Sequence, residues 1–389
     1  MGLYYEYLCG VSNTVMMKVQ HIILFVCLNI FFMQAQAQQL KDNVSFIAHI
    51  NPPNPDPSGI ALSKTGRIFL GFPRHADNHT QFALAELVNE QLIPFPDSSF
   101  IYPSAKPYKE WLVSPHGMYM DKNDVLWILD DGKRAGIQEI PEGAAKVVAI
   151  DINTKRIVHT LVIPANVLSS NAHYNDLRVD LTHGAKGTVY IANSGFGERY
   201  SLVVIDVASG KTREVLLNQP STSPESKFMA FLEGKPHVAD MQKQTFPQGG
   251  ADGIALSPDS KKLFWTAISS RNLYSINTDT LSNFSLDETT IEKAVMFEGQ
   301  HPACDGLAED DKGNIYFGAF EQQSIVKRTP DGECQLLAHN AANFVWPDGL
   351  AYHGGYVYVT LGQWNRLAGF NNGKDLRKPP YLVAKIKAD

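Results

Sequence analysis

The chain has 389 residues, 44% of them hydrophobic, enough for a sizeable core and within reach of one large all-β domain. A net charge of -6 with no basic run excludes a protein built to hold phosphate backbones, so nucleic acid is not an expected partner. No segment after residue 37 is apolar for long enough to span a bilayer.

Lys18 and His21 precede an apolar run, Ile22 to Met33, broken only by Asn29. Ala35-Gln36-Ala37 then fits a small-x-small cleavage site. Residues 1–37 are expected to be a secretory signal peptide, with Met16 or Met17 as an alternative start. Residues 38–389 are expected to form a single domain, secreted to an extracellular or periplasmic compartment. Cys9 and Cys27 leave with the leader; Cys304 and Cys334 remain.

One phrase then recurs along the chain: a polar residue, usually Gly, a short apolar strand, a polar turn, and a second strand. The six copies are centred on Ser58-Gly59, His116-Gly117, Asn175-Asp176, Asp252-Gly253, Asp305-Gly306 and Asp348-Gly349. Each is followed by an aromatic-bearing strand, as in Val125 to Leu129 and Leu263 to Ala267. Later strands are legible at Lys146 to Asp151, Val158 to Ile163, Ser201 to Val207, Thr212 to Leu217, Ser324 to Arg328 and Cys334 to His339. The alternation has period 2, and each interval has room for about four strands of 5–6 residues. One twisted sheet cannot bury both faces alone, whereas radial stacking buries each against the next. The expected fold is therefore an all-β, six-bladed β-propeller with four-stranded antiparallel blades. Val44 to Ile50 and Tyr381 to Ile386 are the strands available to close the ring, in an order left open.

The longest interval holds Pro224 to Gly249, either a lid or binding loop or a packed surface excursion. Cys304 precedes an innermost strand and Cys334 starts the outermost strand of the same blade. Those starts lie at opposite ends of a blade and about 14 Å apart laterally, so no disulfide is expected. Trp127, Tyr190, Trp265, Tyr316 and Tyr358 recur on second strands and are expected to pack between blades. Phe320, Phe344, Trp346 and Trp364 lie nearer loops, as pocket lining or as exposed anchors.

Inner strands line the channel, so Ser58, His116, Asn175, Asp252, Asp305 and Asp348 should gather near one mouth as a ligand-binding ring. Asn175, Asp252, Asp305 and Asp348 are hard-oxygen donors suited to Ca²⁺ or Mg²⁺. Without a cation, at least one carboxyl should be pushed up. The competing reading is that each Asp caps the tight entry to its strand by accepting backbone N–H bonds. His116 is the candidate general base, with His173 as its rival.

Several stretches resemble the yellow / major royal jelly protein family. They include Ser58-Gly-Ile-Ala-Leu-Ser with Phe72-Pro73-Arg74, Leu126-Trp127-Ile-Leu-Asp130 with Asp131-Gly132, and Asn175-Asp176-Leu177. Asp252-Gly-Ile-Ala-Leu-Ser with Trp265, and Trp346-Pro347-Asp348, continue the match. The resemblance implies a secreted six-bladed propeller, with members associated with small aromatic amines, with conversion of dopachrome-like compounds, or with protein-level roles. A wider resemblance to gluconolactonase- and paraoxonase-type propellers implies a divalent metal, often Ca²⁺, at the channel. Gluconolactonase-type sites take a Glu from the first blade, where this chain has Ser58. The expected function is a small-molecule site at the channel mouth, binding or converting an aromatic or amine-type ligand. The alternatives are a metal-dependent lactonase- or esterase-like hydrolase, or a non-catalytic interaction protein.

Overall fold

A computed structural model describes Lys18, His21 and residues 43–170, 172–238 and 247–388. Apart from Lys18 and His21, the expected signal peptide, its cleavage site, the alternative start, Cys9 and Cys27 lie outside the described residues. The chain divides into two units, Met1–Val44 and Ser45–Asp389, and the second carries the blades. No helix among the described residues is long and apolar enough to cross a membrane.

Six four-stranded sheets are present, each antiparallel wherever its register is defined. Their innermost strands are Ile60–Leu62, Pro115–Met120, Tyr174–Asp180, Ala251–Leu256, Leu307–Glu309 and Trp346–His353, which number blades 1 to 6. Blades 1 to 5 are each a run of four consecutive strands. Blade 6 takes strands from both ends of the chain. Tyr356–Gly362 and Tyr381–Lys387 follow its inner strand, and Val44–Ile50 is outermost. Both terminal segments thus belong to the closing blade.

The period-2 alternation does its work between blades. In blade 2, Leu126, Ile128, Val148 and Ile150 face the blade 1 core, while Trp127, Leu129, Val147 and Ala149 face the blade 3 core. In blade 3, Val203 and Ile205 face back toward blade 2 while Leu202 and Val204 face blade 4. Second and third strands therefore read as unbroken apolar runs, because both faces are buried. Each such side chain contributes about 1.5–3 kcal/mol of transfer free energy. The outermost strand Arg156–Val162 has only one neighbour and alternates toward solvent. Trp127, Tyr190, Trp265, Tyr316 and Tyr358 are all buried, as packing between blades requires. Cys304 is buried, Cys334 exposed, and both are free thiols, as the strand order dictates.

Arg178 links blade 3 to blade 5: its guanidinium pairs with Asp176 at 3.2 Å and Glu309 at 3.0 Å, and donates to the Leu307 carbonyl at 2.7 Å.

Candidate functional site

The expected inner strands begin too late. In blades 2, 3, 4 and 6 the strand starts earlier and is interrupted by a register shift, between Pro115/Met118, Tyr174/Leu177, Ala251/Ile254 and Pro347/Leu350. His116, Asn175, Asp252 and Asp348 sit inside these irregularities, which re-aim a side chain out of the regular alternation. Ser58 and Asp305 occupy the matching positions in blades 1 and 5, held by Ser58 N donating to Gly71 O at 3.0 Å and Asp305 N to Gly318 O at 3.2 Å.

The neighbouring glycines explain how the ring fits. A Cβ on Gly59 would lie 2.2 Å from the carbonyl oxygen of His116, one on Gly306 2.2 Å from that of Asp348, and one on Gly349 2.3 Å from that of Ser58. In every blade but the third, where Asp176 stands, this glycine lets the next blade's backbone approach at the axis. This close approach, and not a tight turn, is what the repeated Gly serves.

The three Asp side chains accept from channel side chains. Asp252 Oδ2 accepts from Asn175 Nδ2 at 2.8 Å and from Ser194 Oγ at 2.5 Å. Asp305 Oδ2 accepts from Trp346 Nε1 at 2.6 Å, and Asp348 Oδ2 from Trp364 Nε1 at 2.5 Å. These contacts account for the carboxylates without strand-entry capping. All three carboxyls are buried and pushed up from their ordinary range. Burial acts first on each, reinforced for Asp252 and Asp348 by the charge of Asp305. Desolvation and the mutual repulsion of these buried carboxyls both favour the protonated form in the ring. Asp252 Oδ1 and Asp305 Oδ1 have no hydrogen-bond partner among the described residues.

Asp305 and Asp348 open into a mouth cavity of about 320 Å³. Trp346, Trp364, Phe196 and Phe370 form its aromatic wall, and Lys133 and Arg134 stand on its lining. Trp346 is stacked on Phe320 with centroids 4.4 Å apart, and Phe344 is buried, so none of these rings is an exposed anchor. The long interval supplies a hairpin, Ala230–Leu232 with Lys235–His237. Phe228 and Ala230 pack with Trp346 and Trp364, while Glu233 pairs with Arg366. It is a docked element beside the mouth.

The opposite wall carries imidazoles. His75, His116 and His173 each offer a ring nitrogen, all within 4.8 Å of one another. His116 Nδ1 lies 2.9 Å from the Asn175 carbonyl, which can only accept, so Nδ1 carries the proton and Nε2 the lone pair. Burial, then the neighbouring imidazole, pushes His116 down to about 4; burial, then Lys133, pushes His173 down to about 3. Both imidazoles are thus held neutral at pH 7, the form that can accept a proton or ligate an ion.

Sequence reasoning finds His116, His173, Asp305, Asp348, Trp346 and Trp364 and misses His75, Asp131, Lys133, Phe196 and Phe370. His75 immediately follows the family-like stretch Phe72-Pro73-Arg74, and Asp131 lies within the family-like stretch Leu126 to Gly132. Arg74 is fully buried and donates to the carbonyls of Leu112, Val113, Gln81, Ile101 and His79. Asp130 pairs with buried Lys146 and accepts from the backbone of Val113, Ser114 and Gly132. These anchors fix the segments that carry His75 and Asp131.

Fold and site together define a six-bladed propeller with a mixed aromatic and polar cavity at one channel mouth. Within that class the chain belongs to the Major royal jelly protein family, whose sequence model matches residues 113–387. It is 25% identical over 241 residues to Major royal jelly protein 7 of Apis mellifera, covering 60% of this chain and 50% of that one. It is 26% identical over 244 residues to Major royal jelly protein 1 of the same organism, covering 57% and 52%. The chain thus spans about half the length of these curated relatives. An X-ray structure provisionally named a gluconolactonase superposes with a TM-score of 0.51 at 11% identity, over 89% of this chain and 92% of that one. That likeness shows the fold alone.

Proposed function

We propose that the mouth cavity binds a small aromatic amine, with its ammonium toward Asp305 and Asp348 and its ring against Trp346, Trp364, Phe196 and Phe370. One observation carries this reading: two buried carboxyls, each held by a tryptophan N–H, face a cavity of about 320 Å³ whose wall is aromatic. An ammonium ion returns the carboxyls to their charged form and stacks favourably on aromatic faces. The family resemblance supports the same ligand class, and the leader pattern supports export.

Calorimetric titration with tyramine and with its neutral isostere 4-propylphenol tests the reading. The amine should bind at least 10-fold tighter, and Asp348→Asn should remove most of that preference. Equal affinities, or an unchanged preference in the variant, would sink it.

The unpartnered Oδ1 atoms of Asp252 and Asp305 favour a second reading, a lactonase- or esterase-like hydrolase holding Ca²⁺ or Mg²⁺ on Asn175, Asp252, Asp305 and Asp348. The donor type fits such an ion. Each carboxylate already spends one oxygen on a protein donor, and Ser58 and His116 supply the remaining ring positions, which leaves few oxygens for it. A thermal midpoint unmoved by chelator and by added Ca²⁺ would exclude this alternative.

A further inference from the structure

We infer that His75, His116 and His173 form a three-imidazole site for a first-row divalent cation of the Zn²⁺ or Co²⁺ type, with a remaining coordination position open to the mouth cavity.

The three residues come from separate elements of blades 1, 2 and 3 that the packing of successive blades brings together. His75 follows the second strand of blade 1 and is placed by Arg74, clamped by carbonyls on both sides of it in the fold. His116 lies in the blade 2 irregularity. His173 precedes the inner strand of blade 3, with its backbone N–H bonded to Asn193 Oδ1 at 3.0 Å. Their ring centroids stand 4.8, 4.9 and 5.0 Å apart.

Histidines can cluster in a core for packing alone, and two observations set this cluster apart. The first is the outer partners. The Asn175 carbonyl fixes the His116 ring through Nδ1, turning the other nitrogen away from it. Behind the other two rings stands Asp131, whose side chain is fully buried. Its Oδ2 lies 3.2 Å from His173 Nδ1 and 3.9 Å from His75 Nδ1, and makes no hydrogen bond in the geometry found. A carboxylate behind ligating imidazoles sets their tautomer and raises their donor strength. An orphaned, fully buried carboxylate oxygen aimed at two imidazoles is costly unless those rings turn to donate to it, as they do around a cation.

The second observation is access. All three imidazoles line the same cavity, and His75 is the least buried of them. Tetrahedral coordination at Zn–N distances of about 2.0–2.1 Å puts ligand nitrogens about 3.3 Å apart. The present limit of 4.8 Å requires a modest closure, for which the His75 side chain, 17% exposed, has room. Three imidazoles with an open position are the donor set of borderline ions and unlike the oxygen cage that Ca²⁺ takes. The site is separate from the aromatic-amine reading: it uses the imidazole wall, whereas the amine reading uses Asp305 and Asp348.

The test uses the chelator-treated full chain and Co²⁺ as the probe. Titration followed by visible absorption should show one ion per chain with the intense bands of four- or five-coordinate nitrogen-ligated Co²⁺, displaced by Zn²⁺. His75→Ala and His173→Ala should each weaken binding by roughly 100-fold or more, Asp131→Asn by about 10- to 100-fold, and Asp252→Asn by less than about 3-fold. Circular dichroism checks that each variant folds. If His173→Ala does not fold, His75→Ala at the less buried position decides. No retained Co²⁺, or binding indifferent to His75→Ala, overturns the inference. Loss of Co²⁺ in Asp252→Asn with His75→Ala unaffected also overturns it and moves the ion to the carboxylate ring. Tyramine binding is measured on the metal-free protein, so its failure leaves this inference standing.

Discussion

Gly253 faces the carbonyl oxygen of Asp305 so closely that a Cβ on residue 253 would lie 2.4 Å from it. Gly253→Ala must therefore push blades 4 and 5 apart at the axis, at an expected cost of about 3 kcal/mol. Gly369, around which a Cβ meets nothing within 4 Å, is the matched control, with an expected change within about 0.5 kcal/mol. Urea unfolding of both variants measures the difference. Similar midpoints would show that the close approach is relieved at no cost.

The buried carboxyls and imidazoles pull stability in opposite directions with pH. Asp252, Asp305 and Asp348 have folded values above their ordinary 3.8, so their contribution is present below about 3.8 and is lost as pH rises through the raised values. His116 and His173 have folded values below 6.5, so theirs is present above about 6.5 and is lost as pH falls toward about 4 and about 3. Asp252→Asn keeps the shape and both hydrogen-bonding directions but cannot ionise. Its thermal midpoint should gain on the parent between pH 5 and pH 8, by roughly 2 °C or more. Parallel curves for the two proteins would contradict the shift assigned to Asp252.

Arg178 holds two partly buried carboxylates, and desolvation already pushes Asp176 up to about 6. Arg178→Met leaves Asp176 and Glu309 without their cation and should cost about 3–5 kcal/mol. Adding Glu309→Gln to that variant should recover part of the loss. Additive losses in a chemical-denaturation cycle would mean the two residues are not coupled.

Glu233 and Arg366 tie the hairpin to the mouth, with Arg366 Nε 3.0 Å from Glu233 Oε2. The pair is partly exposed, so Arg366→Ala should change global stability by less than about 1 kcal/mol. Amide exchange in Ala230–Leu232 and Lys235–His237 should nevertheless quicken, read by mass spectrometry. Unchanged exchange there would assign the docking to Phe228 and Ala230 alone.

The blades are legible because burial on both faces writes apolar runs that a period-2 reading recovers. Lys146–Asp151 and Ser324–Arg328 are found at the expected bounds. The inner strands are less legible. A register shift breaks the alternation, so Asp252 reads as preceding a strand that in fact contains it. The carboxylate side of the mouth shows in the repeat, since Asp252, Asp305 and Asp348 share one phrase. The imidazole side does not. His75 and Asp131 follow the ends of second strands, outside any repeated phrase, and only the angular packing of blades 1 to 3 brings them beside His116 and His173.

Blade 6 sets a condition on how the molecule is made. Its outer strand, Val44–Ile50, belongs to the first part of the propeller to be synthesised, and its partner, Tyr381–Lys387, to the last. Pairing across that separation closes a very long loop, a slow step in topological terms. Until it happens, the inward face of blade 1 and the edge of blade 6 stand open together, ready to pair with another chain. Emergence of Tyr381–Lys387 therefore sets when the ring can latch, and a truncation before Tyr381 would keep it unlatched permanently.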